Sequence, residues 1–276
     1  MPCFLSAACL NRSDPILQIK REKMDQNFDL RSYVIRGAER VAAEVMRATW
    51  KNPRESAFML RFGAAFAAAA KRRKDARGRG KRAPGYLTLR LGAVEEPTDW
   101  EAFFAALSKR GVSVILLTGA EALHRPALLE TAGKTPDICF PVFTSALPGA
   151  QELKLLDRCR NLVPVVNVSE TGGQTLETMD ALGKKNILFG AFAAVTGESL
   201  NAVCADARVN AIAKRGCKGL LYLDELASEA EKASLAAQIS RLRTAYPEML
   251  LFSMDAKHFG GTILHGSKAE LDKFLQ

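Results

Sequence analysis

From Pro84 onward the sequence repeats one unit: a leucine-rich or β-branched run of about six to eight residues, then an amphipathic helical pattern, at intervals of roughly 25 to 30 residues. The runs fall at 86–91, 112–117, 138–143, 162–168, 187–193, 219–223 and, shorter, 249–253. The helical patterns lie near 99–110, 125–131, 150–158, 176–183, 199–215 and 228–245. Most of the runs are apolar at nearly every position instead of alternating, so both faces of each strand must be covered, as in a parallel sheet flanked by helices. Right-handed crossovers then allow a full or partial barrel, or an open doubly wound sheet.

In either arrangement ligands bind where the strands end, so the residues just past each run are the place to look for chemistry. Those positions are Arg90, Thr118 to Glu121, Thr144 and Ser145, Asn167 to Gly173, Val195 and Thr196, Asp224 and Glu225, and Asp255 to His258. The set is polar without spelling out a catalytic motif.

Two helices precede the repeat. Val34, Ala38, Val41, Ala42, Val45 and Met46 recur at helical spacing, and Pro53 opens a second helix carrying Phe58, Met59, Phe62 and Phe66. Gly78, Gly80 and Pro84 end it. The basic charge belongs to this part: residues 1–82 hold 19 Lys and Arg against 8 Asp and Glu, whereas the remainder is slightly acidic, within a net charge of +9 for the chain. Residues 24–83 therefore read as a helical arm with a basic linker. Residues 1–23 read as a non-native or disordered extension, because the clean helical pattern opens only after Met24-Asp25-Gln26-Asn27.

Several classes of function are disfavoured. No run of about 18 apolar residues suggests a membrane span, and the apolar stretch 3–10 is too short, and has no basic residues ahead of it, for a signal peptide. The expected address is the cytoplasm, with no membrane partner. The six cysteines form neither a CxxC pair nor a Cys/His cluster, so no metal site is expected, and Cys139 and Cys217 read as packing residues. His258 and His265, near Asp255 and Lys257, are not a metal signature by spacing alone. Gly172-Gly173 beside Ser169 and Thr171 could cradle a phosphate, but it has neither a Walker lysine nor a GxGxxG spacing, and a plain βα loop is the favoured reading. The basic run 71–82 has no interleaved aromatics for base stacking, so a solvated helix end is favoured over nucleic acid binding.

Collinear stretches then carry a resemblance. Phe140-Pro-Val-Phe-Thr-Ser-Ala146, Leu155-Leu-Asp-Arg158 and Asn161-Leu-Val-Pro-Val-Val166 resemble the "FPVFTNGT…LLDR…NLVPVLSIEG" pattern of one radical S-adenosylmethionine (SAM) subfamily. Leu116-Leu-Thr-Gly-Ala-Glu-Ala-Leu-His-Arg-Pro-Ala-Leu-Leu-Glu130 is similar to its "LLxGGEPLxRPxLLE". The resemblance implies an α/β fold, a partial (β/α)6-type TIM-like barrel of parallel strands over residues 84–276, preceded by N-terminal helices.

It also exposes losses. The family's first strand runs into a CxxxCxxC loop whose thiolates hold a [4Fe–4S] cluster; here it exits through Arg90-Leu-Gly-Ala-Val-Glu-Glu-Pro-Thr-Asp-Trp100 straight into a helix. The GGEP motif, which in the family touches the methionine end of SAM, survives only as Gly119-Ala120-Glu121-Ala122, and its fourth-strand Ser and Glu align with Asn167 and Ser169. The C-terminal "GGC…HIN…C" region appears as Gly260-Gly-Thr-Ile-Leu-His265. Together the resemblance and the losses imply a catalytically silent paralogue with no cluster, in which residual SAM binding stays open. It would bind a small ligand or a protein partner, such as an active radical SAM relative, at a barrel mouth lined by Arg90, Gly119, Glu121, Thr144, Ser145, Asn167, Ser169, Thr196, Asp224 and His258. Two alternatives stand beside it: an enzyme of non-radical chemistry on the remnant barrel, and an adaptor or polyanion-binding module using the basic arm.

Overall fold

Each apolar run of the repeat from residue 86 onward becomes a strand of one all-parallel sheet. The computed structural model describes residues 53–80, 83–92, 99–119, 121–170, 172–256, 259 and 261–275. The strands are β1 (Tyr86–Leu91), β2 (Val114–Gly119), β3 (Phe140–Thr144), β4 (Leu162–Asn167), β5 (Gly190–Val195), β6 (Gly219–Asp224), β7 (Leu250–Asp255) and β8 (Thr262–Leu264). Their order is β7-β6-β5-β4-β3-β2-β1-β8. Consecutive strands are neighbours, and β8 then adds to the free edge of β1 through the pairs Leu87–Thr262 and Leu89–Leu264. Among the described residues β7 and β8 do not pair, so the sheet is a curled half-barrel, the partial barrel expected.

The helices are α1 (Pro53–Gly78), α2 (Trp100–Arg110), α3 (Pro126–Gly133), α4 (Ala150–Arg158), α5 (Gly173–Lys184), α6 (Leu200–Val203), α7 (Asp206–Lys214), α8 (Glu229–Ala245) and α9 (Lys268–Leu275), with a single 3-10 turn at Ala122–His124. Their starts follow local chemistry. Asp99 Oδ1 accepts the Ala102 N–H at 2.9 Å to open α2. Ser228 and Glu231 exchange side-chain and backbone bonds in a capping box at the head of α8.

Alternate residues of each strand divide two environments. Leu87, Leu89, Ile115, Leu117, Phe140, Val142, Leu162, Val166, Ala191, Ala193, Leu220, Tyr222 and Leu251 join the core between sheet and helices. Their alternates, among them Pro141, Phe143, Val163, Val165, Phe192, Ala194, Phe252 and Met254, are half-buried and lie on the concave face. Both faces are apolar, which is why the runs do not alternate in sequence. Asn161, buried ahead of β4, directs Nδ2 at the carbonyls of Ala132 (2.8 Å), Thr135 (3.0 Å) and Ile138 (3.2 Å), tying the end of α3 to the approach to β3.

The second helix of the expected arm is α1; its first helix and residues 1–23 lie outside the described residues. Phe58, Phe62 and Phe66 pack in series along α1, with ring centroids 5.7 and 5.9 Å apart. The basic stretch is not solvated throughout, as Arg73 turns inward and is 8% exposed. It donates from Nη1 to Gly111 O at 2.6 Å and to Ser113 Oγ at 3.0 Å, while its guanidinium sits over the Phe66 ring. These bonds dock α1 where β2 begins, at the opposite end of the strands from the mouth. Gly111 makes the approach feasible: its φ is +93°, and a Cβ there would stand 2.8 Å from Ala69 O.

Three details depart from the sequence reading. Strands β2, β3 and β5 start two or three residues later than their apolar runs, because Val112, Ile138, Ile187 and Phe189 are buried ahead of the ladder. The expected helix 199–215 is broken at Cys204 and Ala205 into α6 and α7. Strand β8 and helix α9 were not foreseen.

Candidate functional site

The strand ends of β2 to β5 are joined by a chain of hydrogen bonds. Beyond β2 the backbone turns at Gly119, whose φ is +95° and whose hypothetical Cβ would stand 2.4 Å from Leu91 O. Only glycine lets the β2 exit pass this close to the end of β1. Glu121 follows and reaches across to β3. Its Oε1 accepts the Thr144 hydroxyl at 2.6 Å, and its Oε2 accepts the Ser145 N–H at 3.4 Å.

The bonds continue along the rim. Asn167 Nδ2 donates to Ser145 Oγ at 3.3 Å, and Asn167 Oδ1 accepts the Ser169 N–H at 3.0 Å. Ser169 Oγ then accepts the Ala194 N–H of β5 at 2.9 Å. Glu121, Thr144, Ser145, Asn167 and Ser169 therefore converge, and most of their bonds serve one another. Each carboxylate oxygen of Glu121 still has a lone pair for a further donor.

The remaining strand-end candidates make no side-chain bond to this set among the described residues, although the Arg90 side chain lies beside Gly119. Arg90 is exposed at the end of β1, paired in register with Thr118. Thr196 and Ser199 bond each other within the β5 exit, and Asp224 Oδ1 accepts the Leu226 N–H at 2.9 Å within its own loop. His258 lies outside the described residues. His265 follows β8, where its N–H donates to Glu270 Oε2 at 2.7 Å. Gly172 and Gly173 have ordinary φ and nothing within 4 Å of a hypothetical Cβ, so backbone geometry makes no demand for glycine there.

Other residues shape the site, and of these only Phe143 falls in a stretch quoted for the resemblance. On the concave face Phe143 packs against Phe192 at 5.1 Å and against Phe259 at 5.2 Å between centroids. Phe259, which follows β7 in the chain, thus lies against the sheet. Arg208 of α7 donates through Nη2 to the carbonyls of Val168 and Ser169, holding the β4 exit from outside. Burial holds its guanidinium pKa below the ordinary value. The hydroxyl of Thr178, which is 1% exposed, donates to Gln174 O at 2.9 Å within α5 and lies 3.4 Å from Ala146 O. Only tertiary neighbours distinguish these side chains from ordinary helix or strand residues.

Of the described cysteines, Cys139, Cys159 and Cys217 lie toward the opposite ends of the strands from this rim. Cys139 directly precedes β3 and Cys217 stands one residue further back from β6, at the far ends of those strands, and burial pushes both thiols up to about 12. Cys159 closes α4 against Gly133, and Cys204 follows α6. Among the described residues no three His, Cys, Asp or Glu side chains gather in a metal-binding group. No described helix is long and apolar enough to cross a membrane.

No family model and no curated protein matches the sequence. Solved structures do. SuiB of Streptococcus suis bound to S-adenosylmethionine superposes with a TM-score of 0.55 at 11% identity, covering 67% of this chain and 51% of that one. A second structure of SuiB gives 0.55 at 12% identity over 67% and 53% of the two chains. SuiB bound to the precursor peptide SuiA gives 0.56 at 11% identity over 67% and 52%. The chain spans about half the length of these structures. What the likeness shows is the fold, a curled, all-parallel half-barrel.

Proposed function

We propose that this chain is a radical SAM-type half-barrel that has given up radical chemistry and uses its mouth to bind a small ligand or a peptide. The observation that carries the reading is the donor set at the end of β1. Residues 92–99, which join β1 to α2, contain no cysteine. A [4Fe–4S] cluster needs thiolates grouped in space, and the cysteines that precede β3 and β6 approach the opposite ends of those strands. The residues present at the β1 exit do not fit such a cluster.

Ligand binding is supported by what the rim retains. Glu121 keeps acceptor capacity for an ammonium group, and Phe143 and Phe192 offer an apolar, aromatic patch on the concave face. An amino acid-like head on an apolar or heterocyclic body suits that combination. SuiB has been seen with S-adenosylmethionine and with a precursor peptide, which makes both ligand classes reasonable to test here.

Anaerobic reconstitution with iron and sulfide, followed by calorimetry with SAM, tests the reading. The expected results are no cluster absorbance, no SAM cleavage, and SAM binding that weakens about tenfold in Glu121→Gln, which removes charge while leaving an acceptor for Thr144. A cluster that cleaves SAM would overturn the reading. A flat SAM titration would remove SAM and leave a peptide as the ligand to test.

The convergence of Glu121, Thr144, Ser145, Asn167 and Ser169 also favours a second reading, an enzyme of non-radical chemistry. Its mark would be turnover abolished by Asn167→Ala in a folded protein.

A further inference from the structure

Away from the mouth, α1 and α2 border an open cavity of about 360 Å³ lined by Arg72, Asp75, Ala76, Arg79, Ala106, Lys109 and Arg110. We propose that this cavity is a binding site for a phosphate dianion, the terminal group of a small phosphate ester or diphosphate. It goes beyond the mouth reading and does not depend on it.

Charge is the first support. Four cations, Arg72, Arg79, Lys109 and Arg110, face the cavity against one carboxylate, Asp75. Lys109 and Arg110 lie in the last turn of α2, and Arg79 follows the end of α1. The ordinary role of such residues is to offset the negative end of a helix, worth about half a charge at each terminus. Two helix ends and Asp75 therefore offset about two of the four positive charges. The surplus of about two matches a phosphate dianion. Among the described residues none of the four cations has a carboxylate within ion-pair distance.

Unused donors are the second support. Arg72 Nε and Arg110 Nη1 are shut off from solvent and have no hydrogen-bond partner among the described residues. Buried donors of this kind are almost always paired. They belong to guanidinium forks on two different helices, and such forks suit the tetrahedral oxygens of phosphate. The cavity volume lies at the lower end of the range for small-molecule sites, roughly 300 to 1,000 Å³, which favours a compact ligand over a macromolecule.

Calorimetry of the full chain with inorganic pyrophosphate at low ionic strength is the test, with Arg72→Gln/Arg110→Gln as the variant. The expected result is saturable binding that weakens about tenfold or more in the variant and falls with added salt, while Lys232→Gln on the remote α8 surface leaves it unchanged. No saturable binding by the wild type, or equal binding by the double variant, overturns the proposal. Should the double variant fail to fold, phenylglyoxal labelling of the wild type decides the matter. Pyrophosphate should protect Arg72 and Arg110 and leave Arg241 reactive; labelling unchanged by pyrophosphate overturns the proposal.

Discussion

The Thr144 hydroxyl donates to Glu121 Oε1 at 2.6 Å, joining the exits of β2 and β3 through two residues 23 positions apart. Thr144 also accepts the Ala146 N–H at 3.0 Å, and it is 3% exposed, so neither bond is exchanged easily for water. Replacing it by the isosteric Val leaves Glu121 and Ala146 each short of a partner. We expect Thr144→Val to cost about 1–3 kcal/mol, read as a lower urea midpoint at unchanged slope. A double-mutant cycle with Glu121→Ala should show coupling of about 0.5–1.5 kcal/mol.

Arg73 fixes the orientation of α1. Its two bonds, to Gly111 O and Ser113 Oγ, connect residues 38 and 40 positions apart, and its guanidinium is stacked over Phe66. Arg73→Met keeps much of the apolar stem but abandons both acceptors. The expected loss is about 2–4 kcal/mol by chemical denaturation. Arg73→Lys should recover only part of it, since an ammonium does not reproduce the planar fork.

Gly119→Ala tests the backbone at the mouth. The substitution meets a φ of +95° and a Cβ position 2.4 Å from Leu91 O. An expected destabilisation of about 2–4 kcal/mol should be accompanied by faster amide exchange at the ends of β1 and β2.

Alkaline stability depends on Cys217. Burial raises its thiol from 9.0 to about 12 in the folded protein. The unfolded chain therefore loses this proton first as pH rises. The contribution is fully present below pH 9 and disappears between about 9 and 12, at up to about 1.4 kcal/mol per pH unit for one group. Cys217→Ala should lessen the fall across that range without abolishing it, because Cys139 carries the same shift. The measurement is urea unfolding repeated across the alkaline range.

Much of the architecture was legible because its cause is local. Apolar runs covered on both faces have to become buried parallel strands, and Asp99 and Ser228 announce the helices that follow them. The break at Cys204 and Ala205 carried no glycine or proline to mark it, and Thr262–Leu264 is too short a run to register as a strand. At the mouth, position past a strand was enough to single out Glu121, Thr144, Ser145, Asn167 and Ser169. It could not separate them from Thr196 or Asp224, whose side chains bond within their own loops.

By itself, then, the sequence determined the strand–helix repeat, the parallel sheet and the absence of cysteine after the first strand, because composition and periodicity act over a few residues. Tertiary structure decided which strand-end residues meet, that Phe259 folds onto Phe143, and that Arg73 points inward from a basic helix. Those outcomes depend on contacts between residues tens of positions apart, and no local pattern encodes such distances.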